Sequence, residues 1–254
     1  MKKYFNLLTA TTLACTFSLL QAQPGPRGGM GGPSGPNFNA SMTKLFGEHS
    51  AFSANMEVQA KDMTMPGQVA FSEGKSRFEM DMTKSTGPHM RPGMAEQMKA
   101  MGMDKTIRIT RPDKKLSYSI FPGFEAYAET PLKDPSADTA PEKFKIETTE
   151  LAKETVDGHP CVKNKVVVTD EKGAKHEATV WNATDLKNFP VKITQSDDGE
   201  EVTMVFKDVK LAKPDKAQFD PPSAYKRYDN QMSLMRDEMM KRMGGAGGFA
   251  PPPR

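Results

Sequence analysis

The sequence predicts a mainly β (α+β) protein, a curved antiparallel half-barrel of about eleven strands with a short N-terminal helix and an inserted methionine-rich lid helix. Three observations lead to this prediction. Apolar and polar residues alternate with a period of two in many short segments, as in strands that bury one face. Turn-forming pairs such as Asp157-Gly158 separate these segments, which predicts hairpin-length connections. Helical periodicity is confined to a few short stretches.

The N-terminal residues 1–22 predict a secretory signal peptide. Lys2 and Lys3 precede an apolar run, and Ala22 is the small residue after which we expect cleavage. The mature chain is therefore expected to be periplasmic or secreted. A retained membrane anchor is the alternative, but the run is short for a spanning helix. We expect no lipid anchor at Cys15, because the apolar run continues past it.

Low-complexity segments flank a central domain. Residues 23–37 are rich in glycine and proline and predict a disordered linker. Residues 38–228 have the length of a single domain. Residues 229–254 predict a methionine-rich tail helix followed by a disordered glycine- and proline-rich C terminus.

Composition excludes several classes of function. The 35 basic and 32 acidic residues are interspersed, so no basic stripe indicates a nucleic-acid partner. Cleavage after Ala22 leaves Cys161 as the single cysteine, so the domain has no internal disulfide. His159 and Cys161 would share a strand face, but a nucleophile also needs an orienting third group, and the sequence shows none. We expect a protein that is not an enzyme and needs no cofactor.

The strands follow one rule, which is clearest in the segment around Met80. Phe78, Met80 and Met82 alternate there with charged residues, so they share one face of a strand. The same alternation recurs in four later segments, at Ile107 and Ile109, at Leu116, Tyr118 and Ile120, at Val191 and Ile193, and at Val202, Met204 and Phe206.

Three short segments predict helices. The first covers residues 40–46, near the front of the domain, and the third covers residues 232–243 in the tail. The second covers residues 92–101, where Pro92 suits the first turn and Gly102 the position after the end. Within it, three methionines fall in about 60° of arc and form an apolar edge.

Seven of the nineteen methionines lie in residues 80–104. Methionine side chains are flexible and polarizable, so they adapt to varied apolar ligands. We therefore expect a hydrophobic ligand, a lipid or a lipoprotein acyl chain, in a groove of the half-barrel under a methionine-rich lid. The expected groove and lid residues are Met80, Met82, Met94, Met98, Met101 and Trp181.

Two other interpretations stay open. Thioether sulfur also binds copper(I), and the residues for such a site are Met63, Met65, His89, Met101 and Met103. Alternatively, the methionines simply fill an irregular core, and the protein is a structural or interaction protein with no ligand in its cavity.

Several segments, taken in order, resemble a bacterial family of secreted proteins of unknown function that looks like a branch of the LolA/LolB-type lipoprotein-carrier superfamily. The segments are Gly74–Glu79, Phe121–Tyr127, Glu154–Cys161, Val180–Leu186, Phe189–Lys192 and Phe219–Pro222. The resemblance spans about residues 46–225. It implies a curved half-barrel whose open face is covered by helices and whose cavity receives acyl chains. The implied partners are a hydrophobic ligand or a lipidated protein, with transient contact to a membrane or an envelope protein. No functional residue is carried over, and the sequence does not predict the oligomeric state.

Overall fold

The computed structural model describes residues 40–60, 62–88, 90–132, 144–169, 173–197 and 200–244. The predicted signal peptide and the linker of residues 23–37 lie outside these ranges, and so does the chain after Gly244. The described residues form twelve strands in one sheet and three α-helices.

The strands are numbered in chain order. They are β1 (Ala51–Ala60), β2 (Met63–Ser72), β3 (Lys75–Asp81), β4 (Lys105–Arg111), β5 (Leu116–Phe121), β6 (Ala126–Pro131), β7 (Lys145–Val156), β8 (His159–Thr169), β9 (Lys175–Ala183), β10 (Phe189–Asp197), β11 (Glu200–Lys210) and β12 (Lys226–Tyr228).

The sheet is open and is built from two meanders. Its strand order is β12-β6-β5-β4-β3-β2-β1-β11-β10-β9-β8-β7, and every neighbouring pair is antiparallel except β12 and β6. The meanders meet where β1 pairs with β11, for example at Met56 opposite Phe206. The predicted half-barrel is therefore confirmed, with twelve strands instead of about eleven. The short β12 has too few residues to show a period of two.

The three helices lie within two residues of the predicted segments. They are α1 (Ala40–Leu45), α2 (Met94–Met101) and α3 (Gln231–Gly244). Gly93 and Gly102 flank α2, both in the left-handed region, where glycine carries no Cβ penalty.

One face of the sheet, which we call the inner face, carries the main hydrophobic core. Strand pairing places Met80 of β3, Met56 of β1 and Val180 of β9 on this face. Residues from α1 and the turn after it complete the core. Phe46 stacks on Phe52 with ring centroids 4.8 Å apart. Helix α1 therefore covers the middle of the inner face.

Four apolar side chains of β4 and β5 lie on the opposite, outer face: Ile107, Ile109, Tyr118 and Ile120. Phe78 pairs with Arg108, whereas Arg77 pairs with Ile109, so the phase of the alternation changes between β3 and β4. Phe219 packs on the resulting outer cluster and is buried. Strands β4 and β5 therefore bury their outer side, because the segment that contains Phe219 covers it, whereas Arg108 is exposed on the inner side.

Helix α3 docks on the sheet at its β12 end. Leu234 is fully buried against Phe121, Ala126 and Ala128, with Met235 and Met239 packed beside it. Met232, in contrast, is 82% exposed. The buried arc is centred on Leu234.

Candidate functional site

An open groove lies on the inner face where the sheet ends at β7. Its volume is about 620 Å³, inside the range of about 300–1,000 Å³ that is usual for ligand pockets. The end of α1 and the following turn form one wall, and strands β7, β8 and β9 form the floor. The larger apolar residues that line it are Leu45, Phe46, Ile146, Val166, Val180 and Leu211.

The floor is apolar because the valines of β8 and β9 point to the inner face. Val166 pairs with Thr148, and Val180 pairs with Ile193. Both valines are buried. Ile146 shares their face but is 44% exposed, because β7 is the last strand of the described sheet. Apolar surface is therefore open to solvent along this side.

The wall is held in place by packing below it and by a hydrogen bond at its rim. Phe46 contacts Phe206 edge-on at 5.5 Å, which fixes the end of α1. His49 donates a hydrogen bond from Nε2 to the carbonyl oxygen of Lys187, at 3.1 Å. This bond links the turn after α1 to the turn between β9 and β10, so the two sides of the groove mouth are joined.

The predicted lid residues lie at another part of the inner face. Met80 and Met82 are buried in the main core, and Met98 of α2 packs against that core. Met94 and Met101 are half-buried, and α2 contains no fully buried residue. The structure thus places α2 over the β3 end of the core, whereas the open groove lies over β7, β8 and β9.

The C-terminal end of α2 is anchored by a close approach of two glycines and by one arginine. A Cβ on Gly123 would lie 2.6 Å from the Cα of Gly102, so only glycine allows this contact. Arg242 of α3 donates hydrogen bonds to the carbonyl oxygens of Ala100, at 2.7 Å, and of Gly123. The guanidinium also lies over the Phe124 ring, 5.1 Å from its centroid. Helix α3 therefore holds the end of α2 against the sheet.

Trp181 lies on the outer face of β9. It follows Val180 in β9, so its side chain points to the opposite side of the sheet. The Nζ atoms of Lys192 and Lys163 lie 4.4 Å and 5.0 Å from the centroid of its ring, and Trp181 is 6% exposed. The structure does not bring it together with Met80 or with α2.

The methionines of the copper alternative are not gathered at one site. Met65 is buried in the main core, whereas Met103 packs in the cluster around Leu234. His89 lies outside the described residues. Among the described residues, no three histidine, cysteine, aspartate or glutamate side chains are placed to hold a metal ion.

The geometry argues against Cys161 as a nucleophile. Its thiol is buried and donates to the backbone oxygen of His159 at 3.3 Å. Burial raises the pKa of the thiol, which keeps it protonated and unreactive. The His159 ring contacts Asp185 instead, with Nδ1 and Oδ2 2.8 Å apart.

A smaller cleft of about 240 Å³ on the outer face is polar. Two of its side chains have partners within the protein: Asn55 donates to the Asp208 carboxylate at 2.7 Å, and Arg77 donates to the backbone carbonyl oxygen of Gln218 at 3.3 Å. Because these groups already have partners, the inner-face groove is the better candidate for a ligand site.

Sequence reasoning missed the residues that form the groove. Val166 and Val180 belong to alternating strands, which was visible in the sequence. Their position beside Ile146 and the end of α1 depends on strand order, which was not visible. The exposure of Ile146 follows from the place of β7 at the end of the sheet, and a period of two carries no information about strand order.

None of the described helices has the length and apolar character needed to cross a bilayer.

No protein-family model matches the chain, and no curated protein matches it. Solved structures with a similar fold include LprF of Mycobacterium bovis, with 12% identity, a TM-score of 0.40, and coverage of 73% of this chain and 95% of LprF. The lipoprotein LppX of Mycobacterium tuberculosis has 9% identity, a TM-score of 0.38, and coverage of 66% and 92%. A LolA superfamily protein of Nitrosomonas europaea has 9% identity, a TM-score of 0.33, and coverage of 71% and 94%. At such identities and TM-scores, these similarities transfer neither a site nor an activity.

Proposed function

We propose that the protein binds a hydrophobic ligand, a lipid or a lipoprotein acyl chain, on the inner face of its half-barrel, and that it catalyses no reaction. We place this function in the cell envelope, because residues 1–22 predict a signal peptide cleaved after Ala22. The protein would thus hold an apolar molecule outside the cytoplasm, where a free acyl chain is poorly soluble.

The open groove is the observation that carries the proposal. Burial of apolar surface releases about 25 cal/mol per Å², so a concave apolar surface left open to water favours an apolar occupant. The buried floor at Val166 and Val180 and the half-exposed Ile146 provide such a surface. The aromatic packing of Phe46 on Phe52 gives the groove a rigid wall.

In this proposal the methionine-rich helix α2 is a movable lid over a second part of the inner face, at β3, and the open groove over β7, β8 and β9 is the first. It buries no residue completely, and eight residues are too few for a stable isolated helix. When α2 lifts, Met80 and Met82 become reachable from the same face, and Met94, Met98 and Met101 line the widened opening. Flexible thioether side chains suit such a role, because they repack around chains of different shape.

Binding of hexadecanol, a neutral chain, tests the proposal directly. Ile146→Asp puts a charge beside the groove floor and should weaken hexadecanol binding by about tenfold or more, since a desolvated charge is costly. Leu151→Asp is the matched control, because Leu151 lies on the same strand, is 54% exposed and does not line the groove. If the two variants bind hexadecanol with equal affinity, the groove is not the site that binds the chain.

Native mass spectrometry of the protein purified from its own envelope fraction, without detergent, identifies the cargo. Lipid-sized mass additions on the parent protein, lost in Ile146→Asp and kept in Leu151→Asp, would support the proposal. A copper-sized addition would instead favour the metal alternative. The absence of hexadecanol binding and of any added mass would refute hydrophobic-ligand binding.

A further inference from the structure

We infer that the groove takes a single-chain amphiphile with an anionic head group, and that Lys44 and Lys187 hold this head group at the groove mouth. The inference rests on the proposed function, because it assumes that the acyl chain lies on the apolar floor. It adds the chemical class of the ligand and the residues that select it.

Lys44 and Lys187 reach the groove from two different elements. Lys44 belongs to the last turn of α1, and Lys187 belongs to the turn between β9 and β10; both line the groove. The hydrogen bond from His49 to the Lys187 carbonyl oxygen joins these two elements at 3.1 Å. The two ammonium groups are therefore carried by parts of the mouth that are fixed relative to each other.

The turn that carries Lys187 is itself well ordered by hydrogen bonds. Lys187 and Asn188 both have left-handed backbone conformations, with φ of 54° and 61°. The Asn188 amide donates to the carbonyl oxygen of Ala183, and the Asn182 side chain donates to that of Asn188, both at 2.9 Å. Such a turn presents the Lys187 side chain from a stable base, which lowers the entropy cost of binding an anion.

Neither lysine has a carboxylate partner in the described part of the chain. Other lysines do have one. Lys207, for example, pairs with Glu57 at 2.8 Å, and Lys241 pairs with Glu238 at 2.6 Å. The charges of Lys44 and Lys187 are thus available to a ligand.

The remaining polar lining does not cancel this positive charge. Glu48 is the one acidic side chain among the groove-lining residues of the described ranges, against the two lysines. It is exposed and forms no ion pair there. The mouth therefore has an excess of positive charge.

Like the proposed ligand, the groove has an apolar part and a charged part. Its floor is apolar and partly solvent-exposed, and its mouth carries ammonium groups. Charge-assisted hydrogen bonds from ammonium to carboxylate or phosphate are stronger than neutral ones. A carboxylate and a phosphate share this chemistry, so the head group can be that of a fatty acid or of a phosphorylated lipid.

Isothermal titration calorimetry with four probes distinguishes a fatty acid from a phosphorylated lipid. The probes are hexadecanoate, hexadecyl phosphate, hexadecanol and inorganic phosphate, with each chain kept below the concentration at which it forms micelles or separates from solution. We expect one or both anionic chains to bind about tenfold or more tightly than hexadecanol, equivalent to about 1.4 kcal/mol. The anionic chain that binds with the higher affinity identifies the head group. Inorganic phosphate that binds as tightly as hexadecyl phosphate would overturn the inference, because the chain would then contribute nothing.

A double variant that removes both positive charges tests whether the two lysines cause the preference for anionic chains. Lys44→Gln/Lys187→Gln should lower the affinity for the anionic chains to that of the same variant for hexadecanol. Lys44→Arg/Lys187→Arg should keep the preference for anions. The matched control is Lys153→Gln/Lys175→Gln, which removes two exposed lysines that do not line the groove.

The outcomes separate this inference from the function on which it rests. If the parent and the glutamine variant bind all three chains equally, the groove stands and the head-group site is refuted. If the parent binds no chain at all, hydrophobic-ligand binding itself fails. If the control variant loses the anion preference as strongly as the glutamine variant, the effect comes from net charge and the lysine site is also refuted.

Discussion

Arg242 donates a hydrogen bond to the carbonyl oxygen of Ala100 at 2.7 Å, and this bond connects two helices that are far apart in the sequence. Ala100 lies in the last turn of α2, where carbonyl oxygens have no partner within the helix. Arg242 satisfies one of them from α3, and it also reaches the carbonyl oxygen of Gly123. The tail helix is therefore part of the folded domain, and it determines how firmly the proposed lid is held.

Loss of this arginine should loosen the lid without unfolding the sheet. We expect Arg242→Ala to lower the local stability of α2 by about 1–3 kcal/mol, because charged hydrogen bonds are lost from two carbonyl oxygens. Hydrogen exchange of residues 94–103 measures this as faster exchange, with strands β1 and β11 unchanged. Arg236→Ala is the control, since Arg236 is exposed on the same helix and its ion pair is to Asp237. Equal exchange rates in the two variants would show that Arg242 does not hold α2.

The two glycines that flank α2 should respond differently to alanine. Gly93 has a φ of +83°, and a Cβ at this position would meet no atom within 4 Å, so Gly93→Ala should cost about 1–2 kcal/mol from the left-handed backbone alone. Gly102→Ala adds contacts of 2.9 Å to the Gly123 carbonyl oxygen and to the Phe124 ring. We expect it to cost at least about 1 kcal/mol more through overpacking. Thermal or urea unfolding measures both, and similar losses would mean that the glycine contact can relax.

Replacement of the α2 methionines by serine should abolish hydrophobic-ligand uptake and leave the sheet folded. None of Met94, Met98 and Met101 is fully buried, so the triple variant removes little of the core. The measurement is hexadecanol binding together with far-UV circular dichroism. A Met232→Ser/Met240→Ser variant is the control, because these methionines are exposed on α3. Unchanged uptake by a folded triple variant would remove α2 from the binding mechanism.

Docking of α3 should weaken in acid. Burial by itself raises the pKa of Glu238, but hydrogen bonds from Lys241 and Tyr228 outweigh it and lower the pKa below the ordinary value of 4.5. A carboxylate whose pKa is lower in the folded state contributes stability above its unfolded pKa, and this stability is lost as the pH falls through the folded pKa. Hydrogen exchange of α3 should therefore accelerate at pH values below 4.5.

Glu238→Gln checks the source of this pH dependence. The variant should be less stable than the parent at pH 7, and its α3 exchange should change less on acidification once intrinsic exchange rates are taken into account. Asp237→Asn, at the neighbouring and more exposed position, should behave like the parent. An acid response that is equal in Glu238→Gln and the parent would assign the effect to other carboxylates.

Particular residues show how much of the fold was predictable. The alternation around Met80 and the glycine after Met101 identified a strand and the end of a helix, because strand geometry and helix termination depend on neighbours in the chain. The same alternation did not reveal that Ile109 faces outward while Phe78 faces inward. That difference depends on the register Phe78–Arg108 and on the cover supplied by Phe219, which is distant in sequence.

The candidate site was predicted less well, for a related reason. The methionines were expected at the groove, but the open groove lies at Val166, Val180 and Ile146, and Trp181 lies on the other face. The sequence contains these strands but not their order in the sheet. Lys44 and Lys187 belong to two elements that are distant in sequence and are joined by the hydrogen bond from His49 to the Lys187 carbonyl oxygen.

The sequence by itself determined the strand content, the three helices and the antiparallel character of this protein, since period, capping and turn residues act over a few positions. Only the tertiary structure decided which faces are covered, that α3 holds α2 through Arg242, and where the inner face stays open. These features depend on contacts between residues more than one hundred positions apart, such as Arg242 with Ala100. Local physical chemistry leaves such contacts undetermined until the order and register of the strands are set.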